Sequence, residues 1–160
     1  MRCAALVVVL MLGGAAASAD PASVRVDAAW SRALPPISEN GAAYVTVTNL
    51  GVEPDALVGA ETPMAERAEL HEHVMQGGLM KMRKVASVAL APGDGVAMEP
   101  GGLHVMLMKL AHPLAEGASF PMTLHFRNAP DITVNVSVMA MGALPDAKHE
   151  MHGGHGKKKH

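Results

Sequence analysis

Apolar residues in this chain recur mainly at every second position, in short runs between residues 24 and 139 that Gly, Pro, Asn and Asp interrupt. Because successive side chains of a β-strand point to opposite faces, a period of two is typical of half-buried strands. The clearest run is residues 132–138, where Ile132, Val134 and Val136 alternate with polar residues. No segment has a sustained helical period, so the pattern predicts an all-β protein.

Nine candidate strands follow from these runs and from the turn residues between them. They are residues 24–28, 43–48, 56–60, 67–74, 79–85, 96–99, 105–110, 122–126 and 132–139. Turn signals such as Asn40-Gly41 and Gly77-Gly78 lie between neighbouring strands. Short strands at this spacing indicate a sandwich or barrel, and 160 residues are the size of one domain.

The first nineteen residues have a different character from the rest. Arg2 precedes an apolar run that ends at Gly13-Gly14, and small residues then lead to Ala17-Ser18-Ala19. The run is too short for a membrane-spanning helix, which needs about 20 residues. We therefore expect a signal peptide at residues 1–19, cleaved after Ala19, and an exported mature chain without a membrane span. A membrane anchor is the less favoured alternative, and a lipoprotein is disfavoured because Cys3 precedes the apolar run.

Cleavage would remove Cys3, the only cysteine of the chain. The mature protein would then lack disulfides, thiol nucleophiles and thiolate metal sites, which excludes a blue-copper electron carrier. The Gly-x-Ser-x-Gly motif of serine hydrolases and the His-Glu-x-x-His motif of zinc hydrolases are both absent. Aromatic residues are only 2% of the chain and acidic residues outnumber basic ones, so nucleic acid is not the expected partner.

Nine histidines and thirteen methionines are an unusual composition for a β-sandwich. A lone methionine is usually a flexible filler of the core, but here Met and His alternate on single strand faces. These faces carry His71, His73 and Met75, then Met80 and Met82, then His104, Met106 and Met108. Thioether sulfur and imidazole nitrogen together suit Cu(I). From the residues alone, a metal site and ordinary packing are equal alternatives.

The spacing of four of these residues resembles a known family. His71 is followed after ten residues by Met82, after twenty-one more by His104, and after one more by Met106. This is similar to the motif of the periplasmic copper chaperones called PCu(A)C. The flanking sequences Gly-Gly-Leu-Met-Lys-Met and Pro-Gly-Gly-Leu-His-Val-Met-Leu-Met agree, and the resemblance covers roughly residues 24–138.

The resemblance implies a cupredoxin-like antiparallel β-sandwich that binds one Cu(I) ion through His71, Met82, His104 and Met106. It implies a periplasmic copper chaperone, not an enzyme. The family is associated with delivering copper to cytochrome c oxidase, so the expected acceptor is an oxidase subunit or another copper chaperone. We expect the chain itself to be a monomer.

One residue departs from the family pattern. The family often has His-Glu-Met where this chain has His71-Glu72-His73. A second imidazole in the site would increase the nitrogen share of its donors and favour Cu(II). The spacing ranks His71 above His73 as a ligand.

Residues 146–160 follow the expected folded body, residues 20–145, and have no apolar stripe. We expect this tail to be disordered. Its donors His149, Met151, His152 and His155 are predicted to bind Cu(II), and the alternative is a solubilising tail with incidental histidines. A different class of function also stays open, in which an exported β-sandwich serves as a protein-interaction module and metal binding is incidental.

Overall fold

The structure is a computed structural model, and it describes residues 23–143. The predicted signal peptide and the predicted tail lie outside these residues. Within them the chain forms ten β-strands and no helix, which confirms the all-β prediction. No helix that is long and apolar enough to cross a membrane therefore occurs in this part of the chain.

The ten strands are numbered in chain order. They are β1 (Val24–Arg32), β2 (Asn40–Asn49), β3 (Asp55–Glu61), β4 (Ala65–Gln76), β5 (Leu79–Lys84), β6 (Val88–Leu90), β7 (Gly95–Ala97), β8 (Leu103–Leu110), β9 (Ser119–Phe126) and β10 (Ile132–Met139). Hydrogen bonds join nine of them in the order β5-β4-β8-β2-β1-β10-β9-β3-β6, and β7 pairs with β2.

The sandwich is not purely antiparallel, which corrects the expectation from the sequence. Strand β1 pairs with β2 in the antiparallel sense but with β10 in the parallel sense, where Trp30 lies opposite Ser137. Neighbouring parallel strands require a long connection between them. Here strands β2 to β9 supply that connection, so a short-range sequence pattern gives no sign of it.

Two strands differ from the sequence prediction for local reasons. Strand β1 continues past residue 28 to Arg32, because a bulge between Asp27 and Trp30 shifts its register and lets pairing resume. Ala28 in this bulge has a φ of 48°. Strand β6 was missed because it has three residues, too few to display a period of two.

A single hydrophobic cluster lies between the layers of the sandwich. Its largest fully buried members include Leu57, Leu107, Met122 and Leu124, which come from β3, β8 and β9. In β10 the predicted alternation is confirmed, since Val136 is buried and its neighbours are exposed. Each fully buried side chain of this size contributes about 1.5–3 kcal/mol, so packing without any disulfide holds these strands in place.

Strands β4 and β8 have two different faces. Leu70, Val105 and Leu107 face the core and are buried. Successive residues of a strand alternate between its two faces, so His71, His104 and Met106 lie on the opposite side of the sheet. The core side therefore fixes the backbone that carries the histidine and methionine side chains.

Asp55 joins the start of β3 to the loop before β10. Its carboxylate accepts hydrogen bonds from the backbone N–H groups of Ala56 (2.7 Å), Asn128 (3.0 Å) and Ala129 (2.9 Å). Partial burial raises the pKa of Asp55, but these backbone donors outweigh it and hold the pKa below its usual value of 3.8. The ionised form is thus the one that the folded state stabilises.

We expect Asp55→Ala to lower the free energy of unfolding at pH 7 by about 1–3 kcal/mol, because three donors lose their acceptor. The contribution of a carboxylate with a lowered folded pKa is complete above its unfolded pKa and is lost as the pH falls through the folded value. Urea unfolding of both proteins should therefore show a difference that shrinks below about pH 4. Asp94→Ala, at an exposed turn, is the control. A difference independent of pH would contradict this role for the carboxylate.

Candidate metal centre

Strand β4 lies between β5 and β8, and its register brings the predicted donors to one face. His71 is directly opposite His104 on β8, and Glu69 is opposite Met106. On the other edge of β4, His73 is directly opposite Met82 on β5. Directly opposite residues of an antiparallel pair share a face, so these side chains form one outer surface of the sheet.

A two-residue turn fixes the pairing of β4 with β5. Gly77 and Gly78 have φ values of 61° and 78°, and two positive φ angles are what a type I′ hairpin turn requires. Gln76 is therefore paired with Leu79, and the pairing continues away from the turn with one residue from each strand at every step. Three steps from Gln76 and Leu79, His73 meets Met82.

A small open cleft of about 250 Å³ lies on this surface. It is lined by Leu34, Asn40, Gly41, Ala42, Tyr44, His73, Met82, His104 and Met106. Met82 is 47% exposed, so its side of the cleft is open to solvent. Larger clefts of about 420 and 750 Å³ lie elsewhere among residues 23–143, but no histidine lines them. The donor atoms, and not the size, distinguish this cleft.

His104 is held firmly in the floor of the cleft. It is 3% exposed, and its Nδ1 lies 3.0 Å from the carbonyl oxygen of Gly102. A carbonyl oxygen only accepts, so Nδ1 carries the proton and Nε2 keeps a free lone pair. The same oxygen accepts the backbone N–H of His73 at 3.2 Å. On the side away from β4, Tyr44 lies 6.5 Å from the His104 ring and is itself packed on Trp30 at 4.5 Å.

Burial lowers the pKa of His104 below 6.5, because the charged imidazolium loses its solvation. The nearby His73 and His71 lower the pKa further, and the hydrogen bond to Gly102 opposes this shift. The imidazole is consequently neutral at pH 7. A neutral imidazole is the form that binds metal ions.

His71 lies beside the cleft lining, in a charged environment. Its Nε2 is 3.2 Å from Oε2 of Glu69, and the Nζ atom of Lys84 is 3.0 Å from the other oxygen of the same carboxylate. The bonds from Lys84 and then His71 lower the pKa of Glu69. The His71 ring centroid is 6.0 Å from that of His104. Glu69 thus orients the β4 imidazole that the motif spacing ranked first.

The Nδ1 atoms of His71 and His73 are both buried and have no hydrogen-bond partner. Buried polar atoms normally have a partner, and an imidazole nitrogen without one is available to a metal ion. Within residues 23–143 no group of three or more His, Cys, Asp or Glu side chains is placed to hold a metal. An ion in this cleft would therefore need the thioether sulfurs of Met82 and Met106 as well.

The predicted ligands that fall within residues 23–143 lie in the cleft or beside it. The structure brings Met82, His104 and Met106 to one cleft and places His71 at its side. The tail donors His149, Met151, His152 and His155 lie outside the described residues. The sequence ranking gave no weight to the lining residue Tyr44 and placed His73 second. The two-residue turn was the available signal for His73, since counting back from Gly77-Gly78 pairs it with Met82.

Known proteins with the same architecture include copper-bound domains. The family model LpqE-like, which describes lipoproteins, matches residues 24–138. The protein Lxx21020 of Leifsonia xyli subsp. xyli, named as a lipoprotein, is 35% identical over 116 residues, or 72% of this chain and 69% of that protein.

The copper-bound PCuAC domain of PmoF2 has a TM-score of 0.64 and 25% identity, covering 74% of this chain and 94% of that domain. Cu(I)-bound DR1885 of Deinococcus radiodurans has a TM-score of 0.52 and 35% identity, covering 69% and 74% respectively. The expected cupredoxin-like β-sandwich is thereby confirmed.

The hydrogen bond to Gly102 predicts the protonation state of His104. In ¹⁵N-labelled protein, long-range ¹⁵N–¹H spectra should show the Nδ1–H tautomer and a titration midpoint below 6.5. The same protein unfolded in urea is the control, because a solvated His104 should return to the ordinary value of about 6.5. An Nε2–H tautomer in the folded state, or a midpoint at or above that of the unfolded chain, would contradict the proposed orientation of the ring.

Proposed function

The chain belongs to the LpqE-like family, which is the PCuAC-type family, and from this membership we propose that it is a copper chaperone that binds Cu(I) and passes it to a partner protein. The observation that carries the proposal is the cleft on β4, β5 and β8, where two thioethers and a neutral, oriented imidazole converge. The names of two similar structures state that copper is bound to those domains.

The proposed ligands are two imidazoles and two thioethers. The motif spacing assigns them to His71, Met82, His104 and Met106. Thioether sulfur is a soft donor that selects Cu(I), and it binds without losing a proton. The two sulfur ligands of such a site can therefore take up copper without releasing protons, and the site has no thiol that an oxidising compartment would convert to a disulfide.

Release follows from the exposure of the site. Met82 on β5 is half exposed, and the hairpin tip beyond it presents Met75, Leu79 and Met80 to solvent. An acceptor can dock on this apolar tip and replace the weak thioether ligands one at a time. The proposed acceptor is a subunit of cytochrome c oxidase or another copper chaperone. Transfer of an ion by ligand exchange breaks no covalent bond of a substrate, so no enzymatic activity is proposed.

We also propose the location and the boundaries of the functional chain. The match to a family named for lipoproteins supports export. The composition of residues 1–19 supports a signal peptide that is cleaved after Ala19 to leave a periplasmic chain. The copper-binding domain spans residues 20–145 and acts as a monomer. In the tail, residues 146–160, we propose a second site for Cu(II) formed by His149, Met151, His152 and His155.

An interaction module with incidental metal binding is the second candidate function. The specific observation in its favour is the hairpin tip, where Met75 and Leu79 are each 66% exposed. Exposed apolar patches of this kind mark contact surfaces for other proteins. Copper stoichiometry separates the two functions. The chaperone requires one tightly bound Cu(I) ion per chain, and the module requires none.

The double variant Met82→Ala/Met106→Ala should weaken Cu(I) binding by about a hundredfold or more, which corresponds to about 2.7 kcal/mol. A competitive titration against a chromophoric Cu(I) chelator under reducing conditions measures this loss. Because both side chains lie on the outer face of the sheet, the circular dichroism spectrum and the thermal midpoint should change little.

Met108→Ala/Met141→Ala is the matched control, since neither residue lines the cleft. It should bind Cu(I) as the natural chain does. Unchanged affinity in the first double variant would show that the thioethers are misassigned. No tight Cu(I) site in the natural chain would favour the interaction module.

The tail is tested separately by removing residues 146–160. The truncated chain should retain one tight Cu(I) equivalent and should lose the Cu(II) signal that nitrogen ligands of the tail produce in electron paramagnetic resonance. A variant with His149, His152 and His155 all changed to Ala should behave in the same way. If both changes leave the Cu(II) spectrum intact, Cu(II) binds elsewhere in the chain.

A further inference from the structure

Two imidazoles of β4 compete for the space beside His104. His71 is the directly opposite residue on the neighbouring strand, whereas His73 is diagonal to His104. The diagonal ring is nevertheless the nearer one, since its centroid lies 5.0 Å from that of His104, against 6.0 Å for His71. Of the two, only His73 lines the cleft with Met82 and Met106.

The two centroid separations can be compared with the separation expected for two imidazoles that bind one metal ion. For a metal–nitrogen bond of about 2.0 Å the ion lies about 3.1 Å from each ring centroid, so two imidazoles at the tetrahedral angle have centroids about 5.1 Å apart. The 5.0 Å between the ring centroids of His73 and His104 matches this value. The 6.0 Å between His71 and His104 requires the angle at the ion to open to about 150°.

The electrostatic surroundings of the two rings also differ. His71 is paired with Lys84, and the ammonium of Lys84 and the His71 ring share the carboxylate of Glu69. A copper cation at His71 therefore lies near a carboxylate whose charge is already offset by the ammonium of Lys84. His73 is paired with Met82, an uncharged soft donor. The backbone of His73 is bonded to the same Gly102 carbonyl that orients His104.

We propose that His73 is a copper ligand in this chain and that it exchanges with His71 on a single ion. The two imidazoles are alternatives, because no three of the described His, Cys, Asp or Glu side chains are placed to hold one metal together. Each has a buried Nδ1 without a partner, so each can supply a nitrogen. This inference rests on the proposed function and assigns His73 a role in the handover.

The direction of the exchange follows from the hairpin. His73 lies two residue pairs closer than His71 to the exposed pair Met75 and Met80 at the tip. Copper bound through His71 thus lies farther from the tip, and copper bound through His73 lies nearer to an acceptor that docks there. Replacing one β4 imidazole by the other keeps the number of nitrogen and sulfur donors constant, so the ion moves without a loss of coordination.

A double-mutant cycle on the full mature chain tests the exchange. His71→Ala and His73→Ala should each weaken Cu(I) binding by roughly tenfold or less, because the remaining imidazole replaces the lost one. The double variant should lose more than the product of the two single effects, by roughly a further tenfold. The readout is the competitive chelator titration, with thermal unfolding to verify that each variant is folded.

Two controls make the cycle specific. His112→Ala removes an exposed histidine that does not line the cleft and should have no effect. His73→Met keeps a donor at the position but replaces nitrogen by sulfur. It should retain tight Cu(I) binding and bind Cu(II) more weakly than the natural chain does.

A measurement without any substitution accompanies the cycle. Addition of one Cu(I) equivalent to ¹⁵N-labelled protein should shift the ring nitrogens of both His71 and His73, as well as the Nε2 of His104. The proposal is overturned if the His73 nitrogens do not move, or if His73→Ala is neutral both alone and in the His71→Ala background. A natural chain with no tight Cu(I) site would instead refute the proposed function. The two failures are therefore distinguishable.

Discussion

The candidate site depends on the register of β4 with its two neighbours. Because β4 is hydrogen bonded to β5 on one edge and to β8 on the other, three strands contribute side chains to a single face. A slip of one residue along either edge would turn the partner's donors to the opposite side of the sheet. The Gly77-Gly78 turn sets one register, and the buried residues Leu70 and Val105 help to set the other.

The division between the two faces explains how a site of weak ligands can be well ordered. Leu107 and its buried neighbours hold the backbone of β8, and a shift there would expose apolar surface at a cost of several kcal/mol. On the outer face, His104 needs only one carbonyl to fix its ring. Rigidity therefore comes from the core, and Met82 can stay exposed, as a ligand that has to be released would require.

The sequence predicts a structural feature well when the residues that determine it are close together along the chain, and poorly when they are far apart. The alternation at Val134 and Val136 is local, and so is the pairing of His73 with Met82 across a two-residue turn. By contrast, the pairing of His71 with His104 joins strands that are more than thirty positions apart, and no local pattern encodes that register. The motif spacing supplied what local patterns could not, because it comes from a resemblance and not from the geometry of one strand. No motif spacing linked β1 to β10, so their parallel pairing was missed.

The environment of each imidazole sets what the site can do with copper. His104 is buried, neutral and bonded to a backbone carbonyl, so it has one orientation, which suits the fixed ligand of the proposed site. The two β4 histidines each have an Nδ1 atom without a hydrogen-bond partner. They differ in that the side chain of His71 is also bonded to Glu69. A chaperone must hold an ion tightly enough to exclude competitors and still surrender it. The proposed combination of one fixed nitrogen, exchangeable nitrogens and thioether sulfurs would meet both requirements, because the ion could change ligands one at a time while the fixed bond persists.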